Sequence, residues 1–215
     1  MKPTKRMIAL LLIAVSMLIL GCSLEGATGS ADKPKALAPT AIPGWEKFSG
    51  GGIELWMPDS FEGGDLANDL DVVIERLRSL GPEYEKLAEI IEQNPSAIAL
   101  LVYDSQIGTS GFLTNINVVK EKVISTVTLE LYLDSSVQQM TSDGFKVSEQ
   151  KMIQLDNYET ARLVLQLDAL KAKEVIYMIK EKNTVWVITY ATGAAEFSTR
   201  LPTFDRSANT IYIQP

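Results

Sequence analysis

The chain has 215 residues, of which 46% are apolar and 22% are charged, and it carries a formal net charge of −7. This composition is that of a folded globular protein and excludes a chain that is disordered along most of its length. The acidic balance disfavours nucleic acid and anionic lipid surfaces as partners of the folded part, because both repel negative charge.

Residues 1–21 have the pattern of a secretory signal peptide. Two lysines and an arginine precede an apolar run from Met7 to Leu20, and small residues follow it. The run is shorter than the roughly 20 apolar residues that a membrane-spanning helix needs. Its removal would leave a more acidic chain, because it contains basic residues and no acidic ones.

The only cysteine, Cys22, ends this signal in the stretch Ile19-Leu20-Gly21-Cys22. The stretch resembles the lipobox of bacterial lipoproteins, which implies cleavage before Cys22 and thioether attachment of diacylglycerol to its sulfur. With two or three acyl chains, at about 0.8 kcal/mol for each buried CH₂, the attachment would be effectively permanent. We therefore expect Cys22 to be the lipidation site of a domain outside the cytoplasm, on a bacterial cell membrane or outer membrane.

Lipidation would leave no thiol for a disulfide, a nucleophile or a metal ligand, and His is absent from the whole chain. Residues 22–42 are predicted to form the lipidated cysteine and a flexible tether, because Ser, Gly, Ala and Pro dominate without apolar periodicity. A tether of about 20 residues would reach roughly 25 Å. Residues 43–215 are predicted to form a single domain that mixes helices and strands.

The first part of this domain predicts one strand and two helices. The strand "GIELWMPDSF" is entered from a glycine run and stopped by Pro58. Apolar residues at helical spacing predict a helix over 66–80, with Asp65 as its N-cap, and Gly81-Pro82 ends it and opens a second helix. This acidic helical pair is either an insertion packed on one side of a sheet or an element that faces a partner.

Strands dominate the remainder. Two strands, over 96–104 and 111–122, flank a hairpin loop, and residues 128–141 return to helical spacing with Thr128 as N-cap. Further strands follow, the last of them divided by a turn at Lys182-Asn183, and such short turns imply antiparallel pairing. The final helical stretch is expected to be interrupted at Pro202.

Catalytic and metal-binding motifs are weak. Ser110 lies in a glycine-flanked turn, but the second glycine of G-x-S-x-G is missing and no His could activate the hydroxyl, which leaves only a Ser–Lys pair open. Asp65, Asp69 and Asp71 do not have the spacing of an EF-hand and are typical of a helix start. We expect no catalytic residue, no metal site and no cofactor.

Three residues remain as candidate ligand or partner contacts: Asn115, Asn117 and Trp56. The two asparagines fall on the same side of a strand whose alternate residues are apolar, so they either face solvent or bind a loop backbone, with ligand recognition as the alternative. Trp56, with Trp45 and Trp186, either lines a groove or packs in the core.

Several segments together resemble the PsbP superfamily, which includes PsbP-like and DcrB-like bacterial lipoproteins. They are "IELWMPDSF", "TNINVVKEK", "TLELYLDSSVQQM", "NYETARLVLQ" and a strand that leads into the pattern E-F-x-x-x-L-P-x-F from Glu196 to Phe204. The resemblance spans Trp45 to Ile213 and implies an α+β fold, an antiparallel β-sheet sandwiched between α-helices. PsbP assists the oxygen-evolving side of photosystem II, but no functional motif of that role is present in this sequence.

These features predict a non-catalytic, lipid-anchored module that docks onto or assists an envelope protein complex. The alternative is a small-ligand receptor or a weakly marked hydrolase at the cell surface, with its site where the sheet meets the helices. A deep pocket lined by converging polar groups would favour this alternative, whereas a filled apolar interface would count against it.

Overall fold

A seven-stranded antiparallel sheet forms the centre of the molecule, in the order β3-β4-β5-β9-β8-β7-β6. A second antiparallel sheet has three strands, in the order β1-β2-β10. The computed structural model describes residues 38–215, so the predicted signal peptide, Cys22 and most of the tether lie outside the described residues. The strands are β1 (Trp45–Gly50), β2 (Ile53–Pro58), β3 (Phe61–Gly64), β4 (Leu100–Asp104), β5 (Asn115–Lys122), β6 (Lys146–Gln154), β7 (Glu159–Leu167), β8 (Ala172–Glu181), β9 (Thr184–Gly193) and β10 (Tyr212–Ile213).

Four α-helices connect these strands: α1 (Leu66–Ser79), α2 (Glu85–Gln93), α3 (Leu129–Ser142) and α4 (Phe197–Ala208). On one face of the large sheet, the inner side of the small sheet and α4 enclose the largest apolar cluster. On the opposite face, α3 packs over β6, β7 and β8, while α1 packs over β3. Helices on both faces of an antiparallel sheet confirm the predicted sandwich, to which the small sheet is an unforeseen addition.

Local sequence signals place the helix starts. The Asp65 carboxylate accepts a hydrogen bond from the Ala67 backbone N–H at 2.9 Å, and the Thr128 hydroxyl accepts one from the Leu131 N–H at 3.2 Å. Both side chains satisfy amides that have no partner inside the helix. The two predicted N-caps are confirmed.

The expected interruption at Pro202 is wrong, because α4 continues through this residue. A proline removes one helical hydrogen bond, here the one to the Ser198 carbonyl. Ser198 and Pro202 both lie on the exposed side of α4, where water can reach that carbonyl. Phe197 and Phe204 are buried on either side of the proline and hold both halves of the helix against the core.

The acidic helical pair α1–α2 is inserted between β3 and β4 and buries an apolar stripe against the second face of the sheet. Of the two alternatives, the packing is that of an insertion on one side of the sheet. Val72 of α1 nevertheless remains 69% exposed, so the pair also presents an apolar side chain outward. Within residues 38–215, no helix combines the length and the apolar character that a membrane crossing requires.

Candidate functional site

An open groove separates α1 from the edge strand β3, with a volume of about 580 Å³. We call it the α1–β3 groove. From the sheet it is lined by Glu62, Gly63 and Tyr103, and from the helix by Asp69, Val72, Val73, Glu75, Arg76 and Ser79. The helical residues recur at spacings of three and four, so one stripe of α1 faces the groove.

Charge in the α1–β3 groove is predominantly negative. The Arg76 guanidinium donates two hydrogen bonds to the Glu62 carboxylate, at 2.5 and 2.9 Å. This bidentate contact is the main reason that the pKa of Glu62 lies below its usual value. Asp69 and Glu75 are exposed and form no ion pair within the part of the chain that the structure describes.

The floor of the groove is Tyr103, which is only 1% exposed. Burial, followed by the nearby Glu62 carboxylate, raises the pKa of Tyr103 to about 12, so its hydroxyl keeps its proton at neutral pH. That hydroxyl forms no hydrogen bond with another residue of the 38–215 range. Among the described residues, the enclosed side-chain atoms without a partner belong to Trp56 and Glu196, so the Tyr103 hydroxyl is open to the groove and is a polar group at its base.

A second region lies on the same face of the sheet, between the apolar cluster under α3 and the one under α1–α2. It contains four buried polar side chains, from Asn115, Asn117, Glu174 and Thr189. We call this set the polar seam. The register places Asn117 opposite Thr189, and it places Asn115 and Glu174 on either side of Ala191.

The structure therefore places the two predicted asparagines on one face, as the strand alternation indicates, but buries both. Asn115 is 6% exposed and Asn117 is 3% exposed, so the solvent-facing alternative is wrong. The Asn115 side-chain amide donates to the Leu113 carbonyl at 2.9 Å, which is the predicted contact with a loop backbone. The Asn115 side chain thus stabilises the start of β5.

Sequence reasoning missed Glu174, the only acid of the polar seam. It is 4% exposed, and burial raises its pKa to about 8, so it is largely protonated at neutral pH. The signal was present in the alternation of β8, where Ala172, Glu174, Ile176 and Met178 share the covered face. An acid in that pattern indicates a buried carboxyl group.

The loop 105–114 lies against the end of β9 at Gly193 and contacts the polar seam through the Leu113 carbonyl, which binds Asn115. A side-chain carbon on Gly193 would lie 2.4 Å from the Ser110 hydroxyl oxygen, so the glycine permits the loop to lie directly on β9. The Ser110 hydroxyl accepts a hydrogen bond from the Phe112 N–H at 3.2 Å, and the Ser110 N–H donates to Glu196 at 3.0 Å. The contacts of Ser110 are those of a turn that holds the loop.

A buried ion pair holds the beginning of the same loop. Asp104, at the end of β4, is 2% exposed and pairs with Arg200 of α4. Its other carboxylate oxygen accepts the Gln106 N–H at 3.0 Å. The loop is therefore attached to α4 near its start, through Asp104, and again at Ser110.

Trp56 lies on the outer side of the small sheet and is partly buried, whereas Trp186 is in the core. The register places Trp45 diagonally across from Trp56, and the Arg206 guanidinium lies 4.9 Å from the Trp45 ring centre. The Trp56 indole N–H is enclosed and has no acceptor among the described residues. Its backbone N–H donates to the Thr210 hydroxyl at 2.9 Å.

The acidic residues near the start of α1 are used by the helix. Asp65 caps α1 and also accepts from the Asn68 side-chain amide at 2.9 Å. Within residues 38–215, no three acidic side chains converge in a way that could hold a metal ion.

The α1–β3 groove and the polar seam are joined along one row of the sheet. The strand register aligns Glu62, Tyr103, Asn115, Ala191 and Glu174 directly across four adjacent strand pairs. With strands spaced by about 4.8 Å, Asn115 and Glu174 have Cα atoms about 10 Å apart. The floor of the groove thus borders the buried polar seam.

No protein-family model and no curated protein matches the sequence. Among solved structures, the chain is similar to cyanobacterial PsbP (CyanoP) from Synechocystis sp. PCC 6803, with a TM-score of 0.50 and 13% identity, covering 83% of this chain and 97% of that one. It is more distantly similar to LpqN, which is involved in cell envelope biogenesis of Mycobacterium tuberculosis, with a TM-score of 0.48 and 13% identity, covering 76% and 83% of the two chains. For the immunity protein TplEi from Pseudomonas aeruginosa, the TM-score is 0.44 at 11% identity, with 80% and 99% covered.

The similarity to cyanobacterial PsbP confirms the fold that the sequence resemblance implied. The chain has a PsbP-like α+β fold. At 13% identity, the similarity extends to the fold and not to the residues of a site.

Proposed function

We propose that the chain is a non-catalytic bacterial lipoprotein, anchored through Cys22, whose extracytoplasmic domain docks onto an envelope protein complex. The observation that carries the proposal is the α1–β3 groove. It is an open groove of about 580 Å³ between a helix and an edge strand, lined from both sides by charged side chains. Its lip combines the exposed Val72 with charged side chains, the mixture of apolar centre and polar rim that protein interfaces use.

The N-terminal pattern supplies the second support. A signal peptide over 1–21, the lipobox at Cys22 and the tether to residue 42 would hold the domain close to a membrane while leaving it free to reach a neighbour. The partner is an envelope protein, and nucleic acid is disfavoured by the acidic charge. Trp56 and the aromatic outer side of the small sheet form a second contact surface for the same partner.

The test is chemical crosslinking in cells, with mass spectrometry, of the parent chain and of Cys22→Ser. We expect the parent to carry a diacylglycerol mass increment and to crosslink reproducibly to one membrane protein. Cys22→Ser is expected to leave the membrane or to remain uncleaved, and to lose that crosslink. Unchanged processing and mass in Cys22→Ser would contradict lipidation, and an abundant parent chain without a partner would contradict docking.

The polar seam favours a second candidate function, a receptor for a small polar ligand. Glu174 forms no hydrogen bond within the described residues, and Asn115 and Asn117 lie on the same covered face. A ligand would enter by displacing the loop 105–114. A thermal-shift screen distinguishes the two functions, because a ligand of the polar seam would raise the melting temperature of the parent but not that of Glu174→Gln.

A further inference from the structure

We infer that the α1–β3 groove docks a basic segment of the partner protein, with a Lys or Arg side chain of that segment lying over Tyr103. The inference rests on the proposed docking function and adds the chemistry of the partner. Charge, a tyrosine hydroxyl group that has no hydrogen bond within the domain, and an exposed apolar contact each support it separately.

The first argument is the charge of the groove. Three carboxylates line it, from Glu62, Asp69 and Glu75, against the single guanidinium of Arg76. Arg76 is fully engaged with Glu62 in a bidentate contact. Asp69 and Glu75 are therefore left to attract a cation from outside, and the net charge of −7 strengthens this field.

The second argument is Tyr103. This side chain is 99% covered by the rest of the domain, yet its hydroxyl has no hydrogen-bond partner within residues 38–215 although it lies in the groove lining. A hydroxyl group in that position can accept a hydrogen bond from an incoming ammonium or guanidinium group. A cation over Tyr103 would thus pair with this hydroxyl group within the negative field of the two free carboxylates.

The third argument is the shape of the lip. Val72 is 69% exposed on the groove side of α1 and gives an apolar contact for the carbon stem of a Lys or Arg side chain. Gly63 lines the opposite side with a φ of 134°, and a side-chain carbon there would lie 2.1 Å from the Leu101 carbonyl oxygen. The glycine is therefore required by the close approach of β4, and it adds no side chain to the groove lining.

The first experiment maps the contact in cells. A photo-crosslinking amino acid replaces Val72 in the full chain, and the control replaces Leu131, which is also an apolar helical residue and is 54% exposed. We expect capture at position 72 and not at 131, with mass spectrometry locating the crosslink in a Lys- or Arg-rich segment. Capture of an acidic or neutral segment at 72, or equal capture at both positions, would overturn the inference.

This design separates the two proposals. If chemical crosslinking recovers a partner but position 72 does not contact it, the docking function stands and the groove assignment is wrong. If neither method recovers a partner, both proposals fail.

The second experiment measures charge recognition with defined probes. The lipidated chain in detergent is titrated with a fluorescent peptide of alternating Lys and Gly, and with its Glu counterpart. Asp69→Asn combined with Glu75→Gln is expected to weaken binding of the Lys peptide about tenfold, since two exposed charge contacts are lost. The matched control is Asp71→Asn combined with Glu130→Gln, which removes the same charge from exposed helical positions outside the groove lining.

Tyr103→Phe completes the test, because it keeps the ring and removes only the hydroxyl group. We expect it to weaken the Lys peptide about threefold while the control pair remains at the parent affinity. Equal affinity of the Lys and Glu peptides for the parent would overturn the inference. Equal losses in the groove pair and the control pair would overturn it as well, because they would indicate a general charge effect.

Discussion

The α1–β3 groove and the polar seam lie on one face of one sheet, and a single row of residues from Glu62 to Glu174 crosses both. The glutamates of the two regions have pKa shifts of opposite direction. In the groove, the carboxylate of Glu62 is open to water and paired with Arg76, and its pKa is lowered. In the seam, Glu174 is enclosed and its pKa is raised to about 8. Pairing with Arg76 therefore keeps Glu62 charged, whereas burial without a cationic partner holds Glu174 neutral.

The comparison also explains how one sheet can carry both an open polar groove and a stabilising core. Polar groups in the open groove cost little free energy, because water solvates them. Those in the seam are removed from water, so they must form hydrogen bonds within the fold or lose their charge. Substitutions in the seam should consequently change stability, and substitutions in the groove should change binding. Four predictions test this division, from the largest expected effect to the smallest.

Arg200→Met should have the largest effect, because it leaves the buried Asp104 carboxylate without its cation. We expect a loss of about 3–5 kcal/mol in the free energy of unfolding, measured by urea denaturation. Hydrogen exchange in the loop 105–114 should accelerate, since the loop is attached to α4 through this pair. A stable variant with a protected loop would contradict the role of the ion pair in attaching the loop to α4.

Glu174→Gln should stabilise the protein at neutral pH. In the unfolded chain, Glu174 loses its proton near the ordinary value of 4.5, whereas in the folded chain it keeps the proton up to about pH 8. The parent therefore loses stability as the pH rises through this window, and the loss is complete above it. At pH 7 the variant should gain up to about 3 kcal/mol in the free energy of unfolding.

The measurement for Glu174 is a pair of urea denaturation curves at pH 5 and pH 8, with Glu130→Gln as an exposed control. The difference in stability between the two pH values should shrink in Glu174→Gln and remain in the control. An identical pH dependence in the parent and in Glu174→Gln would show that Glu174 ionises normally in the folded state.

Asn115→Ala should have an intermediate effect, because it removes the donor to the Leu113 carbonyl inside the seam. We expect a loss of about 2 kcal/mol in the free energy of unfolding, since a buried acceptor is left without its partner. Asn115→Asp provides a second comparison, because it keeps the size and loses the donor. If both variants unfold at the parental urea concentration, the asparagine does not hold the loop.

Arg76→Gln should change stability least, because exposed ion pairs contribute little. Binding of the Lys peptide, in contrast to stability, should change clearly. The freed Glu62 carboxylate adds negative charge to the groove, so the Lys peptide should bind more tightly, and the gain should disappear at high salt. Weaker binding would mean that Arg76, and not the carboxylates, makes the contact.

Local signals in the sequence predicted much of the fold. The caps at Asp65 and Thr128 and the turn at Lys182-Asn183 each depend on a few neighbouring residues, and all three are present in the structure. The pairing of β5 with β9 joins segments that are far apart in the chain, so no local pattern indicates it. The final strand, Tyr212–Ile213, is too short to show alternation.

The candidate sites show the same difference between local sequence signals and contacts that form only in the folded chain. Alternation placed Asn115 and Asn117 on one face, but whether that face is open depends on the loop 105–114, whose position is set by tertiary contacts. Glu174 could have been identified from the apolar residues that alternate with it in β8. The α1–β3 groove could not, because its width depends on how far α1 lies from β3 once both have packed.

The small sheet joins strands from the two ends of the described residues, so it can form only after both have been synthesised. Its central strand, β2, lies between β1 and β10, which are the first and last strands of the described residues. The Trp56 backbone N–H donates a hydrogen bond to the Thr210 hydroxyl, which lies 154 residues later in the chain. During synthesis β2 therefore keeps an open edge until β10 has been made, so this sheet closes late and a chain stopped before Thr210 would expose an aggregation-prone strand.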